Sequence, residues 1–307
     1  MDLHRPVMLD EALTGLDVRA GGTYFDCTFG RGGHARAILE RLAGSGALHA
    51  LDQDPEAVAA AQPLVGLHRN FTIHHANFAE LRAVAQAAGV VGKVDGVLMD
   101  LGVSSPQFDD ARRGFSFAQD GPLDMRMDPQ AGESAAAWLA RADEAAIASV
   151  LWQYGEERNS RRIAKRIVAQ RGAEPIATTA QLAALIAAVP GPRSNKIHPA
   201  TRSFQAIRIH INRELEVLQE ALAQALDVLA PGGRLAVIAF HSLEDRMVKR
   251  FIRDAGKPAE RIDTPFAIGG EPGALDKLGK FFPGAAECAA NPRARSAVLR
   301  VARKVAA

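Results

Sequence analysis

Only two cysteines, Cys27 and Cys288, occur in the 307 residues, and they lie far apart in the chain. That excludes a disulfide-dense secreted scaffold. With no CxxC and no Cys/His cluster at zinc spacing, it also excludes the common structural zinc sites. No apolar run approaches the ~18 residues that a membrane span needs. The first eleven residues carry Asp2, Arg5, Asp10 and Glu11 and have no apolar stretch of the kind a secretion signal requires. A reducing cytoplasm is the expected setting. Aromatic residues are scarce, at 6%, and there are no internal repeats or low-complexity tracts. An excess of either charge is also missing: 37 basic against 35 acidic residues leave a formal +2. Spread evenly, that charge would argue against a phosphate-rich partner.

What is present is enough for a core. Hydrophobic residues make up 48% of the chain, and the length predicts about two domains. The first hundred residues alternate strand and helix. Strands are expected at Thr23–Thr28, Ala47–Leu51, Phe71–His74 and Val94–Leu101. A glycine turn at Gly30–Gly33 opens one helix, and Asp54-Pro55 opens another. That order implies a parallel sheet covered by helices on both faces. Ser104 to Gly132 is rich in Gly, Pro and Asp, shows no steady period, and reads as a long functional loop.

Helical signals follow. Asp143 caps a helix carrying Ile147, Val150 and Leu151. Arg158–Arg171 places Ile163 and Ile167 four apart and ends at Gly172. Thr178-x-x-Gln181 is a capping box before Leu182, Leu185 and Ile186, and Pro190 stops that helix. Ile207, Ile211, Leu215, Leu218, Leu222, Leu226 and Leu229 line one face of what reads as the longest helix, broken by Pro231-Gly232-Gly233. A buried strand at Leu235–Phe240, a helix at Leu243–Phe251 and a last strand at Ala297–Arg303 return the chain to the sheet. Gly256 to Asn291 carries no clear signal. The expected architecture is an α/β doubly wound sheet interrupted by an all-helical insertion.

In such sheets ligands sit beyond the carboxyl ends of the strands. Asp26 ends the first strand, before Cys-Thr-Phe-Gly30-Arg-Gly32-Gly33-His34. Asp52 ends the second, twenty-two residues after Gly30, where a carboxylate can accept ribose hydroxyls. Gly30-x-Gly32-x-x-Ala35 also fits a dinucleotide fingerprint, so two ligands stay open. A dinucleotide puts pyrophosphate at the helix N-terminus. S-adenosylmethionine carries a sulfonium and an ammonium instead, which Asp26 suits better than it suits pyrophosphate.

Asp100 ends the fourth strand and leads into Leu-Gly-Val-Ser104-Ser105-Pro106-Gln107-Phe108. N-methyltransferases acting on exocyclic base amines often carry an Asp/Asn/Ser-Pro-Pro-aromatic motif at this place, and the stretch is similar to it, with one proline instead of two. Such an amine is a poor nucleophile because its lone pair is delocalised into the ring. Loop oxygens that accept its N–H groups can aim it at the methyl group, so positioning and water exclusion carry the catalysis and no metal is required. Ser104, Ser105 and Asp100 are the catalytic candidates.

Longer stretches resemble one family nearly end to end. They include His4-Arg-Pro6-Val7, Thr28–His34, Asp100–Gln107, Arg113-Gly-Phe-Ser-Phe117, Asp120–Asp128 and Tyr154-Gly-Glu-Glu-Arg158. Further on come His198–Gln205, Phe240-His-Ser-Leu-Glu-Asp-Arg246 and Asn291–Ser296. By these the chain resembles the bacterial 16S rRNA cytosine N4-methyltransferases. The resemblance implies a Rossmann-like class I methyltransferase sheet, mostly parallel with the last strand antiparallel. The methyltransferase domain would span 1–105 and 206–307, and a helical substrate-recognition domain 106–205. It implies S-adenosylmethionine as cofactor and a cytidine N4 in the decoding centre of small-subunit rRNA as target. It implies no membrane and leaves a homodimer open. The implied donor contacts are Gly32, Gly33, His34, Asp52, Phe78, Asp100 and Gln107, to which the residue reading adds Asp26.

The charge is segregated. Three stretches free of acids, 158–171, 192–213 and 291–304, hold sixteen of the basic residues, and the rest of the chain nets −14. The RNA contacts expected from them are Arg158, Arg161, Arg162, Lys165, Arg193, Lys196, Arg202, Arg293 and Arg295. Phe108, Phe115, Phe117 and Phe204 are stacking candidates, and His198, His210 and His241 candidate contacts to phosphate or base.

Overall fold

The computed structural model describes residues 6–190, 198–258 and 272–306. His4, Arg5, Arg193 and Lys196 lie outside the described residues. Among the described residues seven strands form one sheet: β1 (Thr23–Asp26), β2 (Ala47–Asp52), β3 (Phe71–His75), β4 (Val94–Asp100), β5 (Leu229–Ala239), β6 (Leu275–Phe281) and β7 (Val298–Lys304). Their order is β3-β2-β1-β4-β5-β7-β6. The first five run parallel. β7 enters antiparallel between β5 and β6, with Leu235 opposite Ala302 and Val237 opposite Arg300.

The helices, in chain order, are α1 (Leu9–Leu16), α2 (Gly33–Leu42), α3 (Pro55–Leu67), α4 (Leu81–Ala87), α5 (Ser105–Asp109), α6 (Ala135–Arg141) and α7 (Glu144–Gly155). After them come α8 (Ser160–Ala173), α9 (Thr179–Ala187), α10 (Thr201–Ile211), α11 (Glu214–Val228), α12 (Ser242–Ala255) and α13 (Ala285–Ala290). The chain divides into two compact units, 1–102 with 216–307 and 103–215.

The sheet unit has a core on each face. Leu16, Tyr24, Ile38, Leu42, Leu48, Leu98 and Ile238 fill one. Phe25, Leu51, Leu81, Val97, Met99, Leu222 and Val237 fill the other. Alternate residues of β1 and β4 serve opposite cores, as a period of two requires. These strands read as continuous apolar runs because both faces are covered. The helical unit closes around Trp138, Leu139, Ile147, Leu151, Ile163, Ile167, Leu182, Phe204 and Ile207.

Three local expectations are corrected. The apolar stripe from Ile207 to Leu229 is two helices. α10 ends at Ile211, Arg213 takes a left-handed φ of 49°, and α11 starts at Glu214 and ends at Val228. Asn212 makes the break worthwhile. Its Oδ1 accepts the Met127 N–H at 2.7 Å, and its Nδ2 donates to Met125 O at 2.8 Å and to Arg208 O at 2.9 Å. Gly172 lies inside α8, which runs to Ala173. The stretch without a clear signal contains edge strand β6 and helix α13. The expected caps at Asp54, Asp143 and Thr178 are all formed.

Candidate active site

The polar residues of the sheet unit gather where the strands end. β1 ends on Asp26, and the chain then crosses the sheet edge. Cys27 N donates to Leu98 O at 2.9 Å and Phe29 N to Leu51 O at 3.1 Å. Gly32 follows at φ 74° as the N-cap of α2. A Cβ there would lie 2.6 Å from the Phe29 ring, so the left-handed turn excludes a side chain on two grounds. The turn is fixed from β2, where Asp52 accepts Gly30 N at 2.8 Å on one oxygen and Asp54 N at 2.9 Å on the other.

Phe78 opens a 3-10 turn just beyond β3. Asn77 caps it, and Asn77 Nδ2 donates to Gln53 Oε1 at 2.7 Å, tying the turn to the residue after Asp52. Asp100 ends β4, its N–H donating to Thr28 Oγ1 at 2.7 Å. Its carboxylate lies 3.6 Å from His34 Nδ1. Asp26, Gly32, His34, Asp52 and Asp100 are therefore brought together along one edge, with the Phe78 turn beside the end of β2.

This edge is anionic and under-solvated. Burial pushes the Asp26 carboxyl up to about 7, opposed by the Thr28 N–H and reinforced by Asp52. Burial raises Asp52 to about 6 against its two backbone donors. Asp100 is raised well above the carboxylate range by burial and then by Asp26 and Glu244. Burial holds His34 neutral, its pKa lowered to about 4. Among the described residues five buried side-chain atoms have no hydrogen-bond partner, and three of them lie on this edge: Asp26 Oδ2, Asp100 Oδ1 and His34 Nε2; the others are Ser203 Oγ and His241 Nε2. Native proteins seldom leave such atoms unmet. Two carboxylate oxygens and one imidazole nitrogen awaiting partners, on a glycine cradle, fit a ligand carrying cationic N–H groups.

Glu244 is the residue that sequence reasoning missed. It is buried, and one of its oxygens accepts Phe240 N at 2.8 Å and His241 N at 3.3 Å. Its position just after β5 was the available signal, because the other acids also follow strand ends. His241 Nδ1 caps α12 in return, which gives this histidine a structural role.

In the helical unit, Ser104 and Gln107 cap α5 reciprocally. Ser104 Oγ accepts Gln107 N at 3.4 Å, and Gln107 Oε1 accepts Ser104 N at 2.8 Å. Ser105 stands at the first helical position. Phe115 and Phe204 are core residues. His210 packs against Trp138 in a tilted contact at 4.5 Å, Phe117 lies against exposed His198 at 4.6 Å, and Phe108 is exposed.

The basic stretches differ in kind. In 291–304, Arg300 is buried on Asp245 at 2.6 Å, Arg303 pairs with Asp276 at 2.9 Å, and Lys304 Nζ caps α11 through Leu226 O and Leu229 O. Arg293 and Arg295 are exposed. Arg208 is held by Glu214 at 2.8 Å. By contrast Arg158, Arg161, Arg162, Lys165 and Arg166 are all exposed, and among the described residues none makes an ion pair.

The strand order and the antiparallel β7 define a class I methyltransferase fold. Within that class the chain belongs to the MraW methylase family, whose model matches residues 1–305. It is similar to the ribosomal RNA small subunit methyltransferase H of Xanthomonas campestris pv. campestris (strain B100), at 57% identity over 98% of this chain and 87% of that one. The protein of the same name from Thioalkalivibrio sulfidiphilus (strain HL-EbGR7) is also 57% identical, over 99% of this chain and 98% of that one. A solved rRNA methylase from Streptococcus thermophilus aligns over 99% of both chains, with 12% identity and a TM-score of 0.44.

Proposed function

We propose that the protein methylates small-subunit (16S) rRNA in the cytoplasm, transferring a methyl group from S-adenosylmethionine to the exocyclic N4 of a cytidine in the decoding centre. The observation that carries the donor reading is the set of unmet buried atoms on Asp26, Asp100 and His34, backed by four carboxylates at strand ends. Pyrophosphate would meet those acids as like charge, so the dinucleotide alternative loses its support. Asp26 and Asp100 take the donor's ammonium, Asp52 its ribose hydroxyls on remaining lone pairs, and Gly32 to His34 supply close backbone. Phe78 packs at the adenine, and Gln107 completes the contacts that the family resemblance implies. When bound, the donor supplies an electrophilic sulfonium methyl with a neutral thioether as leaving group.

The residues of this chain position the acceptor. Ser104 and Ser105 follow Asp100 by four and five residues, and their oxygens hold the amine so that its nitrogen faces the methyl. Near-attack geometry and water exclusion supply most of the acceleration. The relatives' names support small-subunit rRNA as substrate, and the exposed Arg161, Arg162, Lys165 and Arg166 of α8, which make no ion pair among the described residues, support an RNA platform in 103–215. The motif resemblance supports the N4 of cytidine. Calorimetry tests the donor site: S-adenosylmethionine binds and NAD does not, and the opposite result reverses the reading.

A further inference from the structure

The two tryptophans have opposite environments. Trp138 is buried in the core of the helical unit, whereas Trp152 is 58% exposed. Tryptophan is rarely left this open. Trp152 lies one turn from the end of α7, and among the described residues no ring stacks on it. It is not the centre of an apolar patch, because Ser149, Gln153 and Glu156 around it are exposed polar residues.

Cations gather at the same end of α7. Glu156 closes the helix in a left-handed conformation, φ 48°, with its N–H returned to the Leu151 and Trp152 carbonyls. Arg202 Nη1 donates to the Glu156 carbonyl at 3.4 Å. α10 crosses this end closely, since a Cβ on Gly155 would lie 2.6 Å from Arg202 O. Arg158 follows two residues after Glu156, and Arg161 and Arg162 continue onto α8 with no ion pair among the described residues, Arg162 donating to the Pro190 carbonyl at 3.3 Å. Glu156 and the buried Glu157 add two carboxylates, so Glu156, Glu157, Arg158 and Arg202 net 0, and Arg161 and Arg162 make the region cationic.

We infer that Trp152, Arg158 and Arg202 form a binding site for an unpaired nucleotide of the RNA, apart from the methylated base. The base stacks on the indole, and its flanking phosphates meet the guanidinium groups. This rests on the RNA reading above and adds a subsite to it. An unpaired nucleotide fits better than a duplex, because only an unstacked base offers its face. RNA fits better than a protein partner, because exposed polar Ser149, Gln153 and Glu156 flank Trp152 on its helix and Arg158 and Arg202 lie at the same helix end, which leaves no broad apolar rim to exclude water.

The test uses the full chain and a fluorescein-labelled single-stranded RNA oligonucleotide. Anisotropy reports binding, and intrinsic tryptophan emission reports stacking. The single strand quenches wild-type emission, and a duplex of equal length does not. Trp152→Phe keeps the affinity and loses the quench, while Trp152→Ala weakens binding about tenfold. On small subunits Trp152→Ala raises KM and leaves kcat unchanged. Binding by Trp152→Ala as tight as wild type, or an equal quench in wild type and Trp152→Phe, overturns the subsite and leaves the RNA reading standing. A wild type that binds no RNA at all overturns both.

Discussion

At Asp26 and Asp100, folding and binding make opposite demands. Burial favours the protonated acids, and a cationic donor favours the carboxylates. In the free protein the folded Asp26, raised to about 7, holds a proton that the unfolded chain has already lost above about pH 4. Across that window the unfolded state binds fewer protons, so this group's contribution to stability falls as pH rises. Donor binding runs the other way. Affinity for S-adenosylmethionine therefore rises with pH through the Asp26 range near 7, by up to about tenfold per unit for each acid that must ionise, and the raised Asp100 carries the rise further. Calorimetry in buffers of different ionisation heat detects the released protons, and Asp26→Asn flattens the profile. Affinity that is constant from pH 6 to 8 contradicts the account. Asp52→Ala weakens donor binding about tenfold to hundredfold, the range for a hydrogen bond to a charged group. Ser105→Ala lowers the transfer rate and leaves donor affinity alone, and an intact rate removes that loop from the mechanism.

At the scale of elements, what could be read depended on whether burial was two-sided. β1 and β4 announce themselves because Phe25, Val97, Leu98 and Met99 are fully buried between two cores. β6 does not, because it is an edge strand whose Asp276, Lys277, Leu278 and Lys280 face solvent around an irregular register at Gly279. Its pairing with β7 comes from the backbone, which carries no compositional mark. The break between α10 and α11 was invisible for a related reason. The apolar period continues from Ile211 to Leu215, and neither Gly nor Pro marks Arg213. Its cause is remote in sequence, in the Met125 and Met127 backbone groups that Asn212 satisfies. Asn212→Ala strands those groups and lowers stability by about 2–3 kcal/mol. Denaturant unfolding measures this, and a change under 0.5 kcal/mol, the ordinary scatter of surface substitutions, contradicts it. At the site, Asp26, Asp52 and Asp100 were legible as acids after strands. Glu244 also follows a strand, but its nearness to Asp100 was not legible, since only the fold places the end of β5 beside that of β4.

At the scale of the molecule, the near-zero formal charge conceals a division of labour. Many arginines elsewhere are spent on carboxylates, as in Arg126–Asp124, Arg234–Asp17 and Arg300–Asp245. Among the described residues the α8 cations pair with no carboxylate, and Arg162 and Arg171 donate to backbone carbonyls instead. Segregation alone therefore overstated the third basic stretch, where Arg300, Arg303 and Lys304 serve the fold. If α8 meets RNA phosphates, converting Arg161, Arg162 and Lys165 to Gln lowers the slope of log affinity against log salt by about 2. An unchanged slope moves the platform elsewhere.

The central claim is the chemistry at one atom. Unmethylated small subunits are incubated with the protein and methyl-labelled S-adenosylmethionine, and the RNA is digested to nucleosides for mass spectrometry. The account predicts label in N4-methylcytidine, lost in Asp100→Asn. Label in another nucleoside, or none in small-subunit RNA, contradicts it.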